Sequence, residues 1–155
     1  MKVSFKLNGK NVVIDVNPNE VLLDTLRLKL GVKSVKRGCE RGECGVCTVL
    51  MNGKPVYSCM VLTPQADGAE IETVEYLQGK EEVKALIDSF VKHGAIQCGY
   101  CTPGFIVTAY ALIKAKQNGL TKEDVIKGLE GNLCRCTGYK KILEAVINAL
   151  NQLET

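Results

Sequence analysis

The sequence predicts an α+β fold in two parts, a β-rich first half followed by a helical second half. Three observations carry that expectation. Apolar residues alternate with polar ones around Asn-Gly pairs before residue 74, the apolar spacing becomes helical after it, and eight cysteines divide four and four between the halves.

The elements follow in order. Val3, Phe5 and Leu7 alternate with polar residues, as do Val12, Ile14 and Val16, and Asn8–Gly9 stands between the two runs. A two-residue hairpin turn needs positive φ at both positions, which Asn and Gly tolerate, so the pattern predicts a hairpin. Asn17–Pro18 predicts a helix over Asn19 to Leu30, with Asn17 as N-cap and Pro18 in the first position. Leu22, Leu23, Leu26 and Leu30 give that helix one apolar face, and Gly31 ends it. A second hairpin is expected from Thr48 to Tyr57 around Asn52–Gly53, and a short strand near Glu70 to Thr73 closes the sheet.

Val83, Leu86, Ile87, Phe90 and Val91 then follow helical spacing. Thr102–Pro103 reads as the N-cap and first-turn proline of a helix to about Lys116. Its Phe105, Ile106, Val107, Ala109 and Tyr110 leave little polar face, so it is expected to be central and buried. Thr121 with Asp124 resembles a capping box for a short helix to about Leu129. Tyr139, Ile142, Leu143, Val146, Ala149, Leu150 and Leu153 mark the stripe of a last helix, which makes the second half a small bundle. The division is expected within Val74 to Lys80, giving domains 1–76 and 77–155. Each has about 75 residues, which is marginal for a hydrophobic core alone, so a metal centre in each helps hold it.

Composition excludes several function classes. No apolar run approaches the ~20 residues that span a membrane. A net charge of +3 with 5% aromatic residues, and no interleaving of basic and aromatic side chains, excludes a nucleic-acid surface. One histidine allows no Ser/His/Asp set, and no dinucleotide fingerprint is present. The N-terminus lacks a signal-peptide core, so the expected compartment is reducing and cytoplasmic, where clustered thiols read as metal ligands before disulfides.

Cys39, Cys44, Cys47 and Cys59 read C-x4-C-x2-C plus one more distant Cys, the plant-type spacing for a [2Fe–2S] cluster. A loop wrapping such a cluster turns tightly and aims N–H groups at anionic sulfur, which suits Gly38, Gly42 and Gly45. Arg37 and Arg41 can offset cluster charge or be ordinary solvated arginines. Cys98, Cys101, Cys134 and Cys136 form a second set, each pair followed by a helix start, Thr102–Pro103–Gly104 and Thr137–Gly138–Tyr139. Helix N-termini stabilise thiolates and anionic clusters. By spacing alone the second set suits zinc as well as iron–sulfur, whereas the first favours iron–sulfur. Two oxidised clusters of about −2 each bring the loaded chain to about −1.

The runs Gly38-Cys-Glu-Arg-Gly-Glu-Cys-Gly-Val-Cys-Thr-Val49, Gln97-Cys-Gly-Tyr-Cys-Thr-Pro-Gly104 and Gly131-Asn-Leu-Cys-Arg-Cys-Thr-Gly-Tyr139 together resemble the small iron–sulfur subunit of xanthine dehydrogenase-type molybdenum hydroxylases. The commonest form of the first run has Ala where this chain has Val46, a position that is not a ligand. The resemblance covers nearly the whole chain. It implies a β-grasp ferredoxin-like domain, then an all-α four-helix [2Fe–2S]-binding domain, with all eight cysteines as cluster ligands. It also implies that Gln97 contacts the pterin of a molybdenum cofactor, with Cys98 and Cys136 close by. The implied partners are a large molybdopterin-binding catalytic subunit and a medium FAD-binding subunit. Electrons then pass from molybdenum to the 98/101/134/136 cluster, to the 39/44/47/59 cluster, and to FAD.

No residue of this chain performs substrate chemistry, so it serves the enzyme as a non-catalytic electron-relay subunit. Taken without the motif, Gln97 reads as a polar residue bonded to backbone, and His93 as a surface or helix-capping residue. Two other readings remain open, a free-standing ferredoxin-like carrier with a helical docking domain and a zinc-bound interaction module.

Overall fold

In the computed structural model, which describes residues 1–116 and 119–154, both Asn-Gly hairpins form where the alternation places them. Strands β1 (Lys2–Leu7) and β2 (Lys10–Asp15) pair antiparallel with Leu7 opposite Lys10, and β3 (Thr48–Met51) and β4 (Lys54–Tyr57) with Met51 opposite Lys54. The turn residues take positive φ, 49° and 81° at Asn8–Gly9 and 52° and 77° at Asn52–Gly53. Each turn asparagine also ties its hairpin to the last strand, β5 (Glu70–Glu72). Asn52 Oδ1 accepts the Glu70 N–H at 2.9 Å, and Asn8 Oδ1 accepts the Thr73 N–H at 2.8 Å. The sheet order is β2-β1-β5-β3-β4, with β1 and β5 parallel and the other neighbours antiparallel.

The first helix differs from expectation. Asn17 to Glu20 form a turn, and the helix α1 spans only Leu22–Asp24 before a π-helical stretch, Thr25–Lys29. The cause is tertiary pairing. Val21 bridges Leu62, and the Leu22 N–H donates to Val61 O at 2.8 Å, which holds the chain extended where the cap pattern starts a helix. The leucine face survives: Leu22, Leu23 and Leu26 are fully buried with Val3, Phe5, Val49 and Ile71.

The second half contains α2 (Val74–Leu77), α3 (Glu81–Lys92), α4 (Thr102–Ala115), α5 (Lys122–Leu129) and α6 (Lys140–Glu154). The expected domain 77–155 includes Gln117, Asn118 and Thr155, which lie outside the described residues. Helix α4 is buried from Gly104 to Ala111, as its unbroken apolar run requires. Its N-cap is Cys101 rather than Thr102, so Thr102 and Pro103 form the first turn. The α5 capping box is present: the Asp124 N–H donates to Thr121 Oγ1 at 3.1 Å, and the Thr121 N–H to Asp124 Oδ2 at 2.9 Å. Val91 is 66% exposed and outside the core, because Val83, Leu86 and Phe90 complete the buried face of α3. Tyr139 precedes α6 at φ 70° instead of belonging to its stripe.

The halves meet at β3. Thr48, Val49 and Leu50 are all buried, against the alternation of an ordinary half-covered strand. Val49 packs into the first core, whereas Leu50 joins the helical core, where α4 lies on the sheet. Beside this contact the loop 44–45 is bonded to the loop 131–133. The Leu133 N–H donates to Cys44 O at 2.9 Å, Asn132 Nδ2 to Gly45 O at 3.1 Å, and the Tyr57 hydroxyl to Gly131 O at 2.8 Å. Gly45 sits at φ 72°, and a Cβ there would lie 2.4 Å from Gly131 O.

Two measurements check this account. Gly45→Ala combines a left-handed conformation with a backbone clash, so denaturant unfolding should show a loss of at least ~2 kcal/mol. Thr121→Ala removes half of the capping box and should lower stability by ~1 kcal/mol at unchanged denaturant slope.

Candidate metal centres

Strand pairing builds half of the first set. Thr48 lies opposite Tyr57 at the open end of the β3–β4 hairpin, so Cys47, just before β3, meets Cys59 on the 3-10 turn Ser58–Met60. The Ser58 hydroxyl and N–H donate to Cys47 O at 2.8 and 3.2 Å, fixing the junction. Both thiols are buried, and each lies within electrostatic range of the other. Burial pushes the Cys47 thiol up to about 11.

The loop from Gly38 supplies the other half. Cys39 Sγ accepts N–H groups from Arg41 at 3.5 Å, Glu43 at 3.3 Å and Cys44 at 3.3 Å, and the Cys39 N–H donates to Cys44 Sγ at 3.4 Å. These N–H bonds, Arg41's foremost, outweigh burial and bring Cys39 down to about 6. The chain achieves this turn with positive φ at Glu40, Gly42 and Gly45. Gly38 is required for a different reason: a Cβ there would stand 2.7 Å from Cys44 Sγ. All four thiols lie within electrostatic range of the Tyr57 phenol, whose pKa is raised by burial first and then by Cys47, Cys44, Cys39 and Cys59.

The second set lies between helices. Cys101 caps α4, Cys98 precedes it, and Cys134 and Cys136 lie in the loop before α6. Cys98 Sγ and Cys136 Sγ are 3.6 Å apart and exposed, whereas Cys101 and Cys134 pair on the inner side. Burial, then the neighbouring Cys134 thiol, pushes Cys101 up to about 12. Burial also opposes ionisation of Cys134, but the Thr137 hydroxyl at 3.2 Å, the Thr137 N–H at 3.4 Å and the Cys136 N–H override it and lower that pKa. Only one of the two expected helix starts abuts the set. Helix α6 begins four residues after Cys136, and the Thr137 turn takes over the donor role.

In both sets the thiols meet in pairs: 39 with 44, 47 with 59, 98 with 136, and 101 with 134. Among the described residues no three of His, Cys, Asp or Glu converge as a site for one metal ion. Paired thiols with inward N–H groups suit a two-iron cluster, which takes two thiolates per iron, better than a tetrahedral zinc ion.

The remaining candidates are placed as follows. Gln97 is exposed, and its Nε2 donates to Cys136 O at 3.0 Å, the backbone bond that ordinary hydrogen-bonding habits suggest. Arg37 is engaged by Asp24 and Glu40, and Arg41 by Glu43 at 2.8 Å, so both guanidinium groups have carboxylate partners. His93 is the C-cap of α3, with Nδ1 2.8 Å from Ser89 O. Sequence reasoning missed the roles of Tyr57, Asn132 and Tyr100. The Tyr100 hydroxyl donates to Arg37 O at 2.7 Å and so joins the two cysteine loops at a second place. Asn132 and Tyr100 lie inside the quoted motifs without a role of their own. Tyr57 had no signal beyond closing a strand.

Residues 5–77 match the family described as a 2Fe-2S iron-sulfur cluster binding domain, and residues 73–147 the [2Fe-2S] binding domain. The chain is 47% identical over 150 residues to the nicotinate dehydrogenase small FeS subunit of Eubacterium barkeri, covering 97% of this chain and 95% of the relative. It is 41% identical to the xanthine dehydrogenase iron-sulfur-binding subunit of Escherichia coli O157:H7, covering 94% and 92%. The structure matches a chain of quinoline 2-oxidoreductase from Pseudomonas putida 86 with TM-score 0.89 and 42% identity, over 99% of this chain and 96% of that one. With two [2Fe–2S] domains in order and full-length relatives of this kind, the chain belongs to the family of small iron–sulfur subunits of xanthine dehydrogenase-type molybdenum hydroxylases.

Proposed function

We propose that the chain relays electrons between a molybdopterin centre on a large subunit and FAD on a medium subunit, in an enzyme assembled in the cytoplasm. Cys39, Cys44, Cys47 and Cys59 hold one [2Fe–2S] cluster in domain 1–76. Cys98, Cys101, Cys134 and Cys136 hold the other in domain 77–155. Each cluster supplies one-electron redox chemistry at sites the chain itself shapes. The observation that carries the reading is the bond from the Leu133 N–H to Cys44 O. It joins a ligand of one set, at 2.9 Å, to the residue preceding a ligand of the other. Two carriers held this way suit a relay.

The exposed thiols Cys98 and Cys136 and the adjacent Gln97 support entry at that edge, with Gln97 facing the pterin. An apolar groove of about 330 Å³ beside the second set, lined by Ile126, Leu129, Leu133, Tyr139 and Leu143, supports docking of the large subunit there. The half-exposed Cys39 and Cys44 support exit toward FAD. Relatives named as small subunits imply larger companions.

Affinity-tagged chain from its native host should co-purify with a molybdenum-containing subunit and an FAD-containing one. Recovery as a redox-competent monomer favours the free-standing carrier instead. Cys44→Ser should remove one of two reducible EPR signals and leave the other, whereas loss of neither contradicts the ligand set.

A further inference from the structure

We infer that Asn132 is a positioning residue for electron transfer between the two centres; the inference rests on the ligand sets proposed above. Asn132 is 3% exposed, and the hydrogen bonds it donates go to main-chain carbonyls, those of Gly45 and Leu129. Its Nδ2 donates to Gly45 O at 3.1 Å. Two other bonds flank it across the same seam, from the Leu133 N–H to Cys44 O and from the Tyr57 hydroxyl at the end of β4 to Gly131 O. From Cys44 Sγ to Cys134 Sγ a route runs through covalent bonds except for one gap, the 2.9 Å contact between Cys44 O and the Leu133 N–H. One electron crosses it, with no bond made or broken. The width of that gap is therefore what the surrounding contacts hold.

Gly45 O does not depend on Asn132 to be satisfied. It also accepts the Thr48 N–H at 3.2 Å and the Thr48 hydroxyl at 2.6 Å, both within the first loop. Removing the Asn132 amide leaves that loop bonded and releases only its tie to the other one. The site excludes anything bulkier: a Cβ on Gly104 would stand 2.5 Å from Gly45 O, and a Cβ on Gly131 would stand 2.2 Å from the Tyr57 hydroxyl. Backbone is brought against backbone here, and Asn132 is the side chain that locks the approach. The Asn132 N–H donates to Leu129 O at 3.0 Å, which fixes the residue to the end of α5. The tie therefore runs from the helical core to the cluster loop.

The test uses the full chain with both clusters loaded, comparing Asn132→Ala with the parent. Iron content and the signal of the first centre should be unchanged. Amide exchange in the segment 131–134 should rise about tenfold, as loss of one buried hydrogen bond implies. The magnetic interaction between the two reduced clusters, read as splitting of their EPR signals, should weaken because it depends on their separation and orientation. A residue that only stabilised the fold would leave that splitting intact in the loaded protein. If Asn132→Ala does not hold both clusters, Tyr57→Phe is read in its place, with the same direction expected. Unchanged splitting in whichever variant retains both clusters overturns the inference, whether or not exchange rises, as does a parent protein with two reduced clusters and no interaction between them. A parent that binds no iron instead overturns the cluster assignment itself.

Discussion

Negative charge gathered on sulfur must be met by donors, and in a chain with one histidine and few free cations beside its thiols the backbone has to supply them. At Cys39 the loop brings the N–H groups of Arg41, Glu43 and Cys44 onto one sulfur. Just past those donors the carbonyls of Cys44 and Gly45 face the other half, and Leu133 and Asn132 donate to them. The loop that meets the demand of the sulfur thus runs directly into the seam between the halves.

Packing, too, leaves neither half self-sufficient. The strand entering from the cluster loop, β3, is buried on both faces, with Val49 in one core and Leu50 in the other. Helix α4 is apolar nearly all round because it meets the sheet as well as the bundle. Two cores too small to stand comfortably alone share a strand and a helix.

Much of this was legible in the sequence. The hairpins were, because Asn8–Gly9 and Asn52–Gly53 state a local requirement that no distant contact overrides. The α5 capping box was legible for the same reason. The first helix was misjudged because Asn17–Pro18 is a local signal, whereas Val61 and Leu62, forty residues on, decide where the helix begins. The eight cysteines announced themselves by spacing, and the buried pair of the first set follows from the β3–β4 register at Cys47 and Cys59. Glu40 at φ 55° was invisible, since nothing in a Glu suggests a left-handed residue. So was the Tyr57 hydroxyl, whose partner lies 74 residues away.

All four hydrogen bonds described between the two halves end on main-chain carbonyls, those of Arg37, Cys44, Gly45 and Gly131. A carbonyl is present whatever side chain its residue carries. A change of side chain at Arg37 therefore leaves its acceptor in place, and any residue but proline at Leu133 keeps the N–H that donates. The inheritance that matters is narrow: a few positions kept bare of side chain, and a few donors long enough to reach across. A lineage can rewrite most of its surface and still pass on the same spacing between its two redox centres.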